Sequence, residues 1–204
     1  IGGHGKIAVL ATPILVADLH IEGEVMPVYV HLIDHPDGRV LVDTGMTELH
    51  PAMADMDPRI WPLTAQDLDL ASIDIVVNTH LHADHVGDMP TLVWSMAKAG
   101  RRDPVEVWGP GGEVPELGTR SYAEHLTLAH AWDTASLNGH PGQSGAQMEV
   151  TAVPFDTTST VYERNGVRTS AFPVIHTPDG SVGYRRHYNG LSVVFSGDTR
   201  PSHT

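Results

Sequence analysis

The chain has 204 residues, 41% hydrophobic and 18% charged, which suits a single soluble domain over residues 1–204 with a sizeable core. It holds no cysteine, so disulfides, thiol nucleophiles and thiolate ligands are excluded together, and any metal must rest on His, Asp and Glu. The formal net charge of −13 repels phosphate backbones, so nucleic acid is not expected as a partner.

The adjacent pairs Arg101-Arg102 and Arg185-Arg186 are too short to reverse that field and read as solvated surface charge. No apolar run reaches the roughly 18 residues that cross a membrane, and no basic-then-apolar leader opens the sequence. A soluble protein is expected, with the cytoplasm favoured and a small molecule as substrate.

Residues 25–33 (VMPVYVHLI) and 39–43 (RVLVD) are β-rich runs around the turn-forming cluster DHPDG. They predict a hairpin whose second strand ends at Asp43-Thr44-Gly45. TAQDLDLAS predicts a helical turn before IDIVVN (73–78), a strand too apolar for a water-facing edge. Pro90 suits the first turn of a helix running to about Lys98. PVEVWGP (104–110) reads as a strand, 117–135 has helical spacing, and 138–147 is a polar Gly-rich loop. From residue 148 strand follows strand: MEVTAVPF, GVRTSAFPVIH, SVGYRR and LSVVFSGD. The mixture predicts an α/β architecture with a site in the loops at strand ends.

The stretch NTHLHADHVGD packs three histidines and two aspartates into eleven residues directly after a buried strand. Residues two apart in an extended segment point the same way, so His80 and His82 can grip one metal. Asp84 and His85 follow after a turn and can face a neighbouring position, giving the adjacent half-sites of a two-metal hydrolytic centre. His176 closes AFPVI and Asp198 closes LSVVFSG, both at strand ends like His80, and a carboxylate there can bridge two cations. Asp43 is either a partner that orients a ligand or the acceptor that shapes a tight turn. His20, His31, His35, His50, His125, His130 and His140 have no partner in this pattern and read as structural or surface residues.

Together VLVDTG, THLHADH, VIH at 174–176 and FSGDT resemble the metallo-β-lactamase superfamily. The resemblance implies an αββα sandwich with metals between the strand ends of two packed sheets. It places His80, His82 and His176 on a first metal and Asp84 and His85 on a second, with Asp198 bridging. Zinc, two ions of it, is the implied cofactor, with iron or manganese as alternates. Residues 28–88 look like N-acyl homoserine lactonases, whereas 104–200 look like the arylsulfatase and tRNase Z side. The change falls near Gly87-Asp88-Met89-Pro90, as in a branch intermediate or a recombined, engineered chain.

The family pattern continues past GDT with a helix, a strand and a final histidine ligand, while this sequence runs six residues past Asp198. The domain is therefore expected to lack those C-terminal elements. His203 is a candidate replacement, lying too near Asp198 to come from a separate strand end. The expected consequences are a weaker second site and uncovered sheet surface that promotes homo-oligomers or strand exchange.

The implied chemistry is a metal-bound hydroxide, its water brought toward a pKa of about 7, attacking an ester-type bond, with a lactone or carboxylic ester favoured. Asp84 is the candidate for orienting it. Tyr184 and His187 are candidate proton donors to the leaving group, with packing as the alternative. Aryl sulfate or phosphodiester hydrolysis, a mononuclear iron oxidoreductase, and a truncated or engineered metal scaffold without turnover are the competing readings.

Overall fold

The computed structural model describes residues 9–35, 38–48, 51–137 and 145–201, without the side chains of 51–53. The turn residues 36–37, most of the polar loop (138–144), His50, His140 and His203 lie outside the described residues.

Among the described residues, eleven strands form two sheets. The first contains β1 (Leu10–Ile21), β2 (Glu24–Asp34), β3 (Arg39–Val42), β4 (Arg59–Ile60), β5 (Ile73–Val77), β6 (Val105–Pro110) and β7 (Met148–Val153), in the order β4-β1-β2-β3-β5-β6-β7. The second contains β8 (Ser159–Arg164), β9 (Val167–Pro173), β10 (Val182–Tyr188) and β11 (Leu191–Phe195), in the order β11-β10-β9-β8, all antiparallel. The predicted hairpin is β2–β3, and IDIVV is β5, central between β3 and β6. β1 and β8 are strands that the sequence reading passes over.

Helices α1 (Ala83–Val86), α2 (Met89–Lys98), α3 (Thr119–Ala129) and α4 (Ala131–Leu137) follow. The helical region 117–135 divides because His130, at φ −102° and ψ 17°, leaves helical geometry between α3 and α4. TAQDLDLAS yields two single 3-10 turns, Leu63–Ala65 and Leu70–Ser72.

One apolar core lies between the helices and the first sheet, around Leu41, Val76, Met89, Leu92 and Met96. A second lies between the sheets, where Val42, Val77 and Trp108 meet Ala171, Val182 and Tyr184. Each fully buried aliphatic side chain contributes roughly 1.5–3 kcal/mol. The layers thus run helix, sheet, sheet. Among the described residues no helix covers the outer face of the second sheet, where Arg168, Arg185 and His187 are exposed.

This arrangement decides where the chemistry falls. β3, β5 and β6 are parallel, so Asp43 and the segment after Val77 emerge at one sheet edge. β9 and β11 both run antiparallel to β10, so His176 and Asp198 emerge together from the second sheet. Two hydrogen bonds tie the edges: Val182 N–H donates to Thr79 O (2.9 Å) and Tyr184 Oη donates to Asn78 O (3.1 Å).

Candidate metal centre

After β5 the histidine stretch bends at Thr79, is extended at His82 and then turns into α1. His80 and His82 therefore share a side, their rings 4.7 Å apart between centroids, and the turn swings Asp84 and His85 to the neighbouring position. His176 closes over them from the second sheet, with its ring 4.7 Å from His80 and 4.8 Å from His82.

Two sets of donor atoms result. In His80, His82 and His176 the donor atoms lie within 4.8 Å of one another, as do those of His80, His85 and Asp198. His82 Nδ1 stands 3.2 Å from His80 Nε2 and 3.1 Å from His176 Nε2. Zinc–nitrogen bonds of about 2.0–2.1 Å at tetrahedral angles hold ligand nitrogens roughly 3.3 Å apart, so the first set fits a zinc-sized ion. Asp84 belongs to neither set; its Oδ2 lies 3.6 Å from His85 Nε2, opposite Asp198 Oδ1 at 3.4 Å.

Asp43 organises both sets from below. It is buried, with φ of 60°, and its Oδ1 accepts the Thr79 backbone N–H at 2.8 Å. His85 Nδ1–H donates to Asp43 Oδ2 at 2.9 Å, which leaves His85 Nε2 facing Asp84 and Asp198. The Thr79 hydroxyl donates to Asp43 Oδ2 (2.9 Å) and accepts from His80 Nδ1–H (3.2 Å), which turns the His80 Nε2 lone pair into the first set. The carboxylate's bonds thus reach Thr79 and His85 and none of them closes its own turn, so it fixes the His80 and His85 rings. Thr79 is the participant that sequence reasoning missed; its signal was its place between the strand and the first histidine.

Electrostatics follow from burial and from these partners. Burial, aided by the neighbouring His85, drives His80 down to about 3. His85 goes the other way, to about 10: burial opposes its charge, but bonds to Asp198 and Asp43 outweigh it. Asp198 is held at about 2, chiefly by its bond to His85. Two carboxylates converging on one nitrogen make a position that favours positive charge.

His80 and His82 form part of the lining of a cleft of about 600 Å³, with Leu117, Tyr122, His125 and Asp179 around them. His125, read as a structural or surface residue, is exposed on α3 and also lines this cleft, its Nδ1–H donating to the Ser121 carbonyl at 2.8 Å. Tyr184 and His187 are not brought to the cleft. Tyr184 is 1% exposed and spends its hydroxyl on Asn78, while His187 points to the outer face of the second sheet and bonds Ser192 Oγ at 3.0 Å.

The profile of the metallo-beta-lactamase superfamily matches residues 23–204. The chain belongs to that superfamily. It is 30% identical over 135 residues to a ribonuclease Z of Mycobacterium marinum (64% of this chain, 46% of that one) and 40% identical over 165 residues to a ribonuclease Z of Clostridium kluyveri (65% and 53%). The chain thus spans about half the length of these curated relatives.

Among solved structures, human tRNase Z, short form (ELAC1), superposes with a TM-score of 0.60 at 16% identity over 92% of this chain and 68% of that one. The metallo-beta-lactamase fold protein YhfI of Bacillus subtilis gives 0.57 at 15%, over 93% and 63%. These likenesses bear on the fold.

These relatives agree with the tRNase Z side of the likeness drawn for residues 104–200, and none of them is named as a lactonase or an arylsulfatase. Their naming as ribonucleases also overturns the exclusion of nucleic acid. A net charge is a sum over the whole chain and does not describe any one surface. No helix of the described residues is long and apolar enough to cross a membrane.

Proposed function

We propose that this domain is a zinc-dependent phosphodiesterase acting on RNA, with His80, His82 and His176 holding one metal and His85 and Asp198, on the other side of His80, a second, Asp84 standing beside it. The observation that carries the reading is the pair of donor sets meeting at His80 beside the cleft, in a chain related to ribonucleases Z. Bound metal would supply an acidified water and charge stabilisation at the bond under attack.

The chain's own residues do the rest. Asp43 and Thr79 hold the His85 and His80 rings in the tautomers that face the centre. Asp84 and Asp198 present carboxylate oxygens able to orient a water and take its proton. Tyr122 and His125 form the opposite wall, within reach of a substrate in the cleft.

A second reading, hydrolysis of an uncharged lactone or ester, has one observation in its favour: among the described residues the cleft is lined by Glu116 and Asp179 and by no Arg or Lys. Both readings are tested by assaying zinc-reconstituted protein on an oligoribonucleotide, a small aryl phosphodiester, an aryl sulfate and an acyl homoserine lactone. Phosphodiester cleavage lost on chelation and restored by zinc is the expected result. Lactone turnover without phosphodiester turnover would replace the first reading by the second.

A further inference from the structure

The cleft beside the metal centre presents hydrogen-bond acceptors to whatever enters it. Besides His80 and His82, its polar side chains among the described residues are Glu116, Ser121, Tyr122, His125, Asp179 and Ser181. The two carboxylates accept only. Tyr122 and His125 already donate to main-chain carbonyls, Tyr122 Oη to Val86 O at 3.0 Å and His125 Nδ1–H to Ser121 O at 2.8 Å. What remains of them is the tyrosine oxygen and, in the neutral ring, the His125 Nε2 lone pair. Ser181 is different. It lines the cleft and is 5% exposed, and among the described residues its hydroxyl has no hydrogen-bond partner. A hydroxyl so placed takes its partner from the contents of the cleft.

The two carboxylates stand on loops that touch. Glu116 lies in the 3-10 turn Pro115–Leu117 after β6, and Asp179 lies in the loop between His176 and β10. A Cβ added at Gly180 would stand 3.6 Å from Gly112 Cα and 3.7 Å from Glu113 N. Leu117 and Pro178, each next in sequence to a carboxylate, add apolar surface to the same lining. Of the parts of an RNA chain, the phosphates carry acceptors and negative charge, which suit the metal centre and oppose the carboxylates. The bases are uncharged, flat and apolar on their faces, with N–H donors on their edges. Guanine sets two donors side by side, on N1 and on its exocyclic amino group, as the two oxygens of a carboxylate require. A cleft of about 600 Å³ is of a size that holds a small ligand, and a phosphate at His80 and His82 would bring its nucleoside there.

We propose that the cleft is a nucleoside subsite that selects a base rich in N–H donors, guanine above all. Glu116 and Asp179 accept from the base, and the Ser181 hydroxyl bonds the same nucleoside. The proposal rests on the RNA reading above for its ligand, and not on turnover. Its test is the calorimetric binding of guanosine 5′-monophosphate and of inosine 5′-monophosphate to zinc-loaded protein. The two nucleotides differ by the exocyclic amino group alone, and the guanosine form should bind about tenfold more tightly. Joint Glu116→Gln and Asp179→Asn substitution should bring the two affinities within about twofold of each other, while the loss of negative charge tightens both. Ser181→Ala should weaken both about fivefold with their ratio intact. A change confined to folding would not move the ratio.

Absence of binding, equal affinities in the unsubstituted protein, or a ratio indifferent to the carboxylates overturns the subsite. Discrimination by a protein that cleaves no phosphodiester leaves the subsite standing and removes the hydrolase reading instead. Cleavage of a small aryl phosphodiester without discrimination does the reverse.

Discussion

Asp43 Oδ2 lies 2.9 Å from His85 Nδ1, and through Thr79 the same carboxylate reaches His80, so one buried acid sets the orientation of a histidine in each donor set. An asparagine there keeps the positive φ and one acceptor, but presents an N–H to His85 Nδ1. That donor selects the tautomer with the proton on Nε2, the atom required for ligation. Asp43→Asn should lower zinc affinity about 10–100-fold, measured by competition with a chromophoric chelator. Unchanged affinity would show that His85 is not held by this bond.

Gly197 precedes Asp198 at φ 57°, and a Cβ added there would stand 2.7 Å from Thr79 Cβ and Oγ1. Gly197→Ala is thus both strained in backbone and crowded against the residue that orients His80. It should destabilise the fold by about 1–3 kcal/mol in denaturant titration and lower the bound metal. Retention of full metal content with a normal midpoint would contradict this packing.

Tyr184→Phe separates packing from proton donation. The hydroxyl is buried and bonded to Asn78 O between the sheets, so its loss should cost about 1 kcal/mol of stability and leave turnover and metal content as they were. A fall in kcat with an unchanged midpoint would return Tyr184 to the chemistry.

Asp88 is buried at the start of α2, where burial raises its pKa despite bonds from Thr64 N–H (3.2 Å) and the Thr64 hydroxyl (3.5 Å). A folded-state pKa above the unfolded value means stability that is present in acid and lost as pH rises through the folded pKa. Asp88→Asn should therefore stabilise the protein near neutrality, with the gain vanishing below about pH 4. Paired denaturation curves at the two pH values read the sign directly.

The core strands and the ligand stretch were legible in the sequence because local pattern specifies them. IDIVV is apolar throughout save Asp74, and THLHADH changes from period two to a turn within a few residues. What was not legible depends on neighbours distant in the chain. β1 pairs with β2 through a bulge near Leu15, and β8 shifts register near Thr160, so neither shows clean alternation. His125 gained its place in the cleft lining from the packing of α3, and His187 gained Arg168 as its neighbour from strand register; no spacing rule within one segment contains either. The charge argument against RNA was overturned by the relatives, not by any pattern in this sequence.

The hydrogen bonds from Val182 to Thr79 and from Tyr184 to Asn78 are the rivets of a seam, and the donor sets straddle it, with His80, His82 and His85 on one plate and His176 and Asp198 on the other. A cation held there would be a weld between the plates. Sliding one sheet past the other by a single residue would then unmake the centre before it unmade either sheet, so the reactive geometry is also a gauge of the sandwich's alignment.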